Sequence, residues 1–434
     1  MHIGIQEQDP DTTYIIQAVD KRNTPSRTLD DIVNEIEGLA RAISLDVVQT
    51  RITPFSTISA KIFFGKGTCE NIRQEVEELK PSIVIVNATL SPIQQRNLEE
   101  EWNVKVIDRT ALILEIFGER AQTKEGRLQV ELAAQEYQKS RLVRSWTHLE
   151  RQRGGAGFMG GPGERQIEID RRLISKRITR LKRELQEVLK TRDLGRQSRD
   201  RVPFPIISLV GYTNAGKSTL FNKITKAEVF AEDLLFATLD PTMRKIMLPQ
   251  NQEAILADTV GFIADLPTHL VAAFRATLEQ ITTAHVILHV IDASRHDYMA
   301  QKQDVIKILQ DLKVDYEQDE RIIEVYNKTD LLDADTRADF ERDCKYSSIP
   351  RIMISAHKGQ GIDELLAHVN EITASKHKEV QYILDITDGK ALSWLYAHGD
   401  ITQREDSQTH VKVSIRLDSA NQHKFEDLFK YKPL

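Results

Sequence analysis

Apolar and polar positions alternate along this chain in three different rhythms, and each rhythm predicts a different architecture. From Leu29 onward Leu29, Ile32, Val33, Ile36, Leu39, Ala40 and Ile43 recur at the three-to-four spacing of an amphipathic helix. Short strand-like runs follow at Asp46–Gln49, Ile62–Gly65, Ser82–Val86 and Val104–Ile107, with helices between them near Thr68–Leu79 and Pro92–Trp102. Strands alternating with helices predict a small α/β domain over residues 1–118 with a largely parallel sheet. Residues 1–27 carry little periodicity and predict an ill-ordered or edge-strand start. Gly65-Lys-Gly67 lacks a full nucleotide fingerprint and reads as a plain turn rather than an anion turn.

The rhythm changes over residues 119–200, where strand-like runs vanish. Ile167, Ile174, Leu181 and Val188 repeat every seven residues, as do Ile178 and Leu185, with Arg171 as a polar interruption. That seam asks for a partner helix, and Leu128, Leu132, Ala133, Tyr137, Trp146 and Leu149 offer one. Between the two lie six glycines and one proline in the ten residues 154–163. An antiparallel helical hairpin with a glycine-rich tip fits, although the tip is longer than joining two helices needs.

The third rhythm is strand, loop, helix repeated over residues 201–375. Ile206–Val210 is an apolar run, Gly211–Ser218 is a glycine loop reading Gly-Tyr-Thr-Asn-Ala-Gly-Lys-Ser, and Thr219–Ile224 reads as helix. In that context a GxxxxGK[ST] match is a phosphate-binding loop, whose backbone N–H groups cradle the phosphates. Gly211, Tyr212, Thr213, Asn214, Ala215, Gly216 and Thr219 would form the cradle, Lys217 would reach the β- and γ-phosphates, and Ser218 would bind Mg²⁺. Phe236, Ala237, Thr238, Leu239 and Asp240 sit where a first switch belongs; Thr238 is the expected Mg²⁺ and γ-phosphate ligand, with Thr242 as competitor. Ala254–Gly261 predicts a strand ending in Asp258-Thr259-Val260-Gly261: Asp258 would hold a Mg²⁺ water, and the Gly261 N–H would sense the γ-phosphate. After the apolar strand Val286–Asp292, whose His289 reads as a core histidine rather than a catalyst, Asn327-Lys328-Thr329-Asp330 places a carboxylate that selects guanine. Ser355-Ala356-His357 follows the next strand, and the Ala356 N–H is expected near guanine O6.

Composition changes this picture in one respect. The chain has 434 residues and a net charge of −6, but residues 120–201 hold 21 Lys/Arg against 11 Asp/Glu, so the hairpin is about +10 and the remainder about −16. A basic segment in an acidic protein points to a polyanion such as RNA, or to a solvated helical face. At the tip Arg151, Arg153 and Arg165 flank Gly154, Gly155, Gly157, Phe158, Met159, Gly160, Gly161 and Gly163. Arginines pair with phosphate and a phenylalanine stacks on bases, which favours an RNA-contacting tip over a linker or a second nucleotide loop. No apolar run approaches the ~18 residues of a membrane span. The start shows no signal-peptide layout, and Cys69 and Cys344 form no CxxC, so a cytoplasmic protein is expected.

Taken in order, each at a strand end, these peptides resemble the G1 to G5 motifs of the translation-factor-related GTPases. Two departures stand out. Phe262 occupies the place where many small GTPases carry a water-orienting glutamine, and Asn214 stands three residues before Lys217. In such GTPases an asparagine there helps hold K⁺ near the phosphates; the alternative is a loop-shaping role. The resemblance narrows with Val106–Phe117, the basic hairpin, Phe236–Thr242 and Phe262–Pro267. Over nearly the whole chain this is similar to the HflX family of bacterial GTPases. The resemblance implies a monomer that binds GTP or GDP and the large ribosomal subunit with its rRNA, and splits or rescues stalled ribosomes under stress. It also implies the possible additional ATP hydrolysis reported for some members, for which no second phosphate loop is present. A GTPase accessory to RNA modification or ribosome assembly is the alternative. The expected fold is thus α/β multidomain, closing with a small α+β domain over residues 376–434, similar to the ferredoxin-like C-terminal domain of some members.

Overall fold

The computed structural model describes residues 11–22, 27–152, 162–197, 204–226, 235–236, 242–264, 278, 281–375 and 377–434. The N-terminal domain is β1 (Thr12–Asp20), α1 (Leu29–Arg41), β2 (Asp46–Phe55), α2 (Lys66–Leu79), β3 (Ile83–Val86), α3 (Pro92–Trp102), β4 (Lys105–Asp108) and α4 (Arg109–Arg120). Its four strands are parallel in the order β2-β1-β3-β4.

Two expectations fail here. The start of the described chain is no edge: β1 pairs with β2 on one side and β3 on the other, and Tyr14, Ile15 and Ile16 are fully buried. A strand covered on both faces shows a continuous apolar run instead of alternation, and that run is too short to announce itself. Ile62–Gly65 is not a strand. Phe63 takes a left-handed φ of 61° and the Phe63 and Phe64 rings pack edge to face at 4.9 Å beneath the sheet.

Local chemistry sets the helix starts. Thr28 caps α1 by accepting the Asp31 N–H; Ser91 and Gln94 form a capping box on α3 with Pro92 in its first turn. Asp108 caps α4 through the Ala111 N–H.

Next come α5 (Lys124–Gln152) and α6 (Pro162–Gln197). Leu128 and Leu132 bury against Ile178, Leu181 and Leu185, with Ile174 and Val188 at the margin, so the seam is filled from Ile174 to Val188. Ala133 and Tyr137, expected on the same seam, pack instead toward the N-terminal domain, and the side chains of Trp146, Leu149 and Ile167 lie outside the described residues. The nine residues between α5 and α6 reach at most about 35 Å when fully extended, too short to run back along the ~43 Å of α5, so the pair is antiparallel. Glu131 bonds Arg177 and Glu136 pairs with Lys182 across it. Residues 153–161 lie outside the described residues, as do the side chains of Arg151 and Arg165. Gly163 lies in the first turn of α6.

The third unit is β5 (Ile206–Gly211), α7 (Lys217–Thr225), β6 (Thr242–Met247), β7 (Glu253–Asp258), β8 (Val286–Asp292), α8 (Tyr298–Asp311), β9 (Ile322–Asn327), α9 (Ala334–Tyr346), β10 (Arg351–Met353) and α10 (Ile362–Ser375). The sheet order is β10-β9-β8-β5-β7-β6, parallel except for the antiparallel edge β6. His289 is 1% exposed and bonds the Tyr316 hydroxyl, with burial pushing its imidazole down to about 3. It is a neutral core histidine, as the sequence predicts.

The C-terminal unit is β11 (His377–Asp385), α11 (Gly389–His398), β12 (Asp400–Asp406), β13 (His410–Asp418) and α12 (Ser419–Phe429), with an antiparallel sheet β11-β13-β12. It is α+β as expected, but β12, a polar edge strand, escapes the sequence pattern. Among the described residues it holds three strands, one short of the ferredoxin-like arrangement. No described helix is long and apolar enough to cross a membrane.

One apolar cluster joins the units. Ile36, Leu39, Ile113 and Phe117 of the N-terminal domain pack in the same core as Ala133 of α5 and Tyr212, Phe236, Phe262 and Ile281 of the third unit.

Candidate nucleotide-binding site

The glycine loop leaves the central strand β5 and ends at the first turn of α7. Two of its glycines are required by space. A Cβ on Gly211 would lie 2.2 Å from the Val290 carbonyl oxygen, and one on Gly216 (φ +92°) would lie 2.2 Å from Asn327 Nδ2. Asn214 is exposed and left-handed at φ 61°.

Lys217 is 6% exposed, and its Nζ donates to the carbonyls of Gly211 (3.1 Å) and Tyr212 (2.8 Å). The ammonium is thereby aimed back over the loop that would hold phosphate. Burial pulls it down to about 8, with the Asp258 carboxylate opposing. Ser218 Oγ donates to Asp258 Oδ2 at 2.8 Å. A hydroxyl and a carboxylate side by side are hard oxygen donors of the kind Mg²⁺ takes, so the residues present fit that ion.

At the base-recognition end Asn327 is a strut. Its Nδ2 donates to Ala215 O at 2.9 Å and its Oδ1 accepts the Ala356 N–H at 2.9 Å, tying the phosphate loop to the Ser355–His357 loop. The Ala356 N–H expected at guanine O6 is therefore already engaged, and an arriving O6 would have to share it. The Ser355 hydroxyl holds the Asp330 carboxyl below its usual range, favouring the ionised form that could accept two donors. Lys328 pairs with Asp292 at 2.8 Å, and His357 is exposed at the rim.

Several residues expected around nucleotide have side chains turned elsewhere. Thr259 Oγ1 donates to Leu209 O at 2.6 Å and Thr329 Oγ1 to Ile354 O at 2.9 Å, both buried, while Val260 is 5% exposed in the core. Their side chains shape the strand ends. Phe236 is buried edge to face on Phe117 at 4.7 Å, packing the first switch onto the N-terminal domain. Ala237, Thr238, Leu239 and Asp240 lie outside the described residues. Thr242 begins β6.

Gly261 comes close to the loop: a Cβ there would sit 2.8 Å from Thr213 Cγ2 and 3.2 Å from Lys217 Nζ. Phe262, in the place of the glutamine, is 1% exposed in the shared core, so it takes no part in orienting water.

Sequence reasoning missed the N-terminal contribution. Glu35 on α1 accepts from Arg27 Nη1 (2.7 Å), Arg109 Nη2 (2.6 Å) and the Tyr212 hydroxyl. Burial alone would push the Glu35 carboxyl up; Arg109 and Arg27 outweigh it and hold the carboxyl low. A cavity of about 190 Å³ opens beside this cluster, lined among others by Gly38, Asn214, Leu235 and Arg295. No motif flags Glu35 or Arg27, because their role exists only once two domains meet.

A mostly parallel sheet with a GxxxxGKS loop on its central strand, a Ser/Asp pair of hard oxygen donors and an Asn-Lys-Thr-Asp loop defines a P-loop GTPase. Comparison with known proteins resolves the class further. Residues 30–118 match the family described as "GTP-binding GTPase N-terminal", 120–199 "GTP-binding GTPase Middle Region", 206–328 "50S ribosome-binding GTPase", and 345–429 "HflX C-terminal domain". The chain is 45% identical to the GTPase HflX of Magnetococcus marinus, covering 94% of this chain and 93% of that one. It is 43% identical to the GTPase HflX of Escherichia coli over 86% of each. The chain belongs to the HflX family of GTPases. The C-terminal family match begins at residue 345, inside the third unit, where β10 pairs with β9.

Proposed function

We propose that this protein is a cytoplasmic, monomeric switch that hydrolyses GTP to GDP and phosphate, binds the large ribosomal subunit, and splits or rescues stalled ribosomes under stress. The observation that carries the reading is an intact guanine and phosphate site, without a water-orienting glutamine, joined to a basic antiparallel hairpin. The third unit's likeness to a family described as "50S ribosome-binding GTPase" supports the choice of partner.

In this reading Asp330 selects guanine and the loop N–H groups with Lys217 hold the phosphates. Ser218 and Thr238, with Asp258 through a water, would hold Mg²⁺, which would supply positive charge to the bound phosphates. Thr238 and the Gly261 N–H report the γ-phosphate. Asn214, exposed on the loop, helps hold K⁺ in the place of an arginine finger's charge. The Arg151–Arg165 tip meets rRNA. Ribosome affinity differs between GTP and GDP forms, since a nucleotide that bound both forms equally would shift nothing.

GTP turnover with and without purified large subunits, in K⁺ and in Na⁺ buffer, tests this. Strong stimulation by subunits, lost on deleting residues 154–163, is expected. Slow turnover in all cases would move the reading to an accessory of RNA modification or assembly.

A further inference from the structure

The backbone of Ala264, three residues beyond Gly261, is held on both sides of its Cα. Its N–H donates to the Tyr212 hydroxyl at 2.8 Å, and its carbonyl accepts Arg109 Nη2 at 3.0 Å. Tyr212 and Arg109 both bond Glu35, through Oε2 and Oε1 respectively. The hydrogen bonds close a ring: Glu35, Tyr212, Ala264, Arg109 and back to Glu35. Two of its members come from the N-terminal domain, one from the phosphate loop and one from the segment after Gly261.

We propose that Arg109 and Glu35 are positioning residues of the GTPase site, holding the Gly261–Ala264 segment against the phosphate loop so that the free protein discriminates against the triphosphate. This rests on the GTPase reading alone, not on the ribosome as partner. With the ring closed, the Thr213 N–H donates to Phe262 O at 2.7 Å and the Phe262 N–H to Gly211 O at 3.1 Å. Gly261 is pressed on Thr213 and Lys217. A loop N–H serves phosphate only when it points at it, and a γ-phosphate between Lys217 and Gly261 must push residues 261–264 outward. That movement strains the ring. A diphosphate asks nothing of Gly261.

The neighbouring residue extends the consequence. Asp108 is fully buried, caps α4, and accepts the Tyr137 hydroxyl of α5 at 2.9 Å. Consecutive residues, Asp108 and Arg109, thus grip the hairpin root and the γ-phosphate sensor. Displacement of one is delivered to the other through one rigid helix start.

The test measures affinities for GDP and the non-hydrolysable triphosphate GppNHp in the full-length protein. Arg109→Met is expected to tighten GppNHp about tenfold, the worth of hydrogen bonds to a charged group, and to leave GDP within about twofold. Glu35→Gln should act in the same direction with less effect, and Arg109→Lys should restore discrimination in part. Tyr212→Phe deletes only one oxygen and guards against misfolding of the charge variants. Its effect on the ratio of the two affinities should not add to that of Arg109→Met. Hydrogen exchange at residues 133–141 should change between GDP and GppNHp in the natural protein and not in Arg109→Met. An unchanged ratio in every variant, equal shifts for both nucleotides, or weaker GppNHp binding overturns the proposal. Failure of the natural protein to bind either nucleotide would instead refute the GTPase reading itself.

Discussion

Lys217 offers a sharp test of the site through protons. Its ammonium is buried with carbonyl partners and sits near 8, against 10.5 for a free lysine. The difference of about 2.5 units corresponds to roughly 3 kcal/mol of differential interaction. The sign follows from linkage. Between pH 8 and pH 10.5 the unfolded chain keeps the proton that the folded chain has lost, so this group makes stability rise with pH across that window. Bound phosphate restores the charge. Nucleotide binding should therefore take up a proton to a degree that is small near pH 7 and grows as pH rises through about 8. Calorimetry of GDP binding in buffers of different ionisation enthalpy reads this directly, and nucleotide affinity should fall as pH rises above 8. Lys217→Met removes the buried charge. At pH 7 it should stabilise the nucleotide-free protein by up to ~3 kcal/mol, and the gain should shrink toward pH 10. Uptake that is flat from pH 7 to 9, or a stabilisation that grows with pH, would refute the account of a desolvated amine.

Three further outcomes follow from the geometry. Gly216→Ala places a methyl 2.2 Å from Asn327 Nδ2 at a positive φ; it should destabilise the fold by more than the ~1 kcal/mol of an ordinary backbone change, read in denaturant unfolding, and abolish GDP binding in a fluorescence titration. Asp330→Asn removes the acceptor pair for guanine and should weaken GTP on the order of 100-fold or more, with xanthosine triphosphate gaining by comparison, measured by competition. Phe117→Ala deletes the ring against Phe236 and should cost ~3–5 kcal/mol in denaturant unfolding; a loss below ~1 kcal/mol would mean that the interdomain core is not formed in solution.

Periodicity and spacing made most of this architecture legible. The Pro92–Trp102 helix is found at the position expected, and the heptad run through Leu181 and Leu185 packs as a hairpin. The phosphate loop and Asn327–Asp330 were legible because their chemistry is local: a turn needs glycine where no Cβ fits, and guanine needs a carboxylate at a strand end. Where reading failed, the deciding force was not local. β1 looks featureless because a strand buried on both faces has no alternation to display, and β12 because a polar edge has little apolar face. Thr259 and Thr329 carry motif letters, yet their hydroxyls serve the strand ends.

The sequence by itself determined the class of chemistry, the four-unit order and the sign of the hairpin's charge, since each is written in neighbouring residues. Only the tertiary structure decided that Glu35, Arg109, Tyr212 and Ala264 form one ring, and that Phe236 packs on Phe117. Those partners lie far apart along the chain. A carboxylate taken out of water is tolerated only where donors from both domains are aligned around it, a condition no linear pattern records.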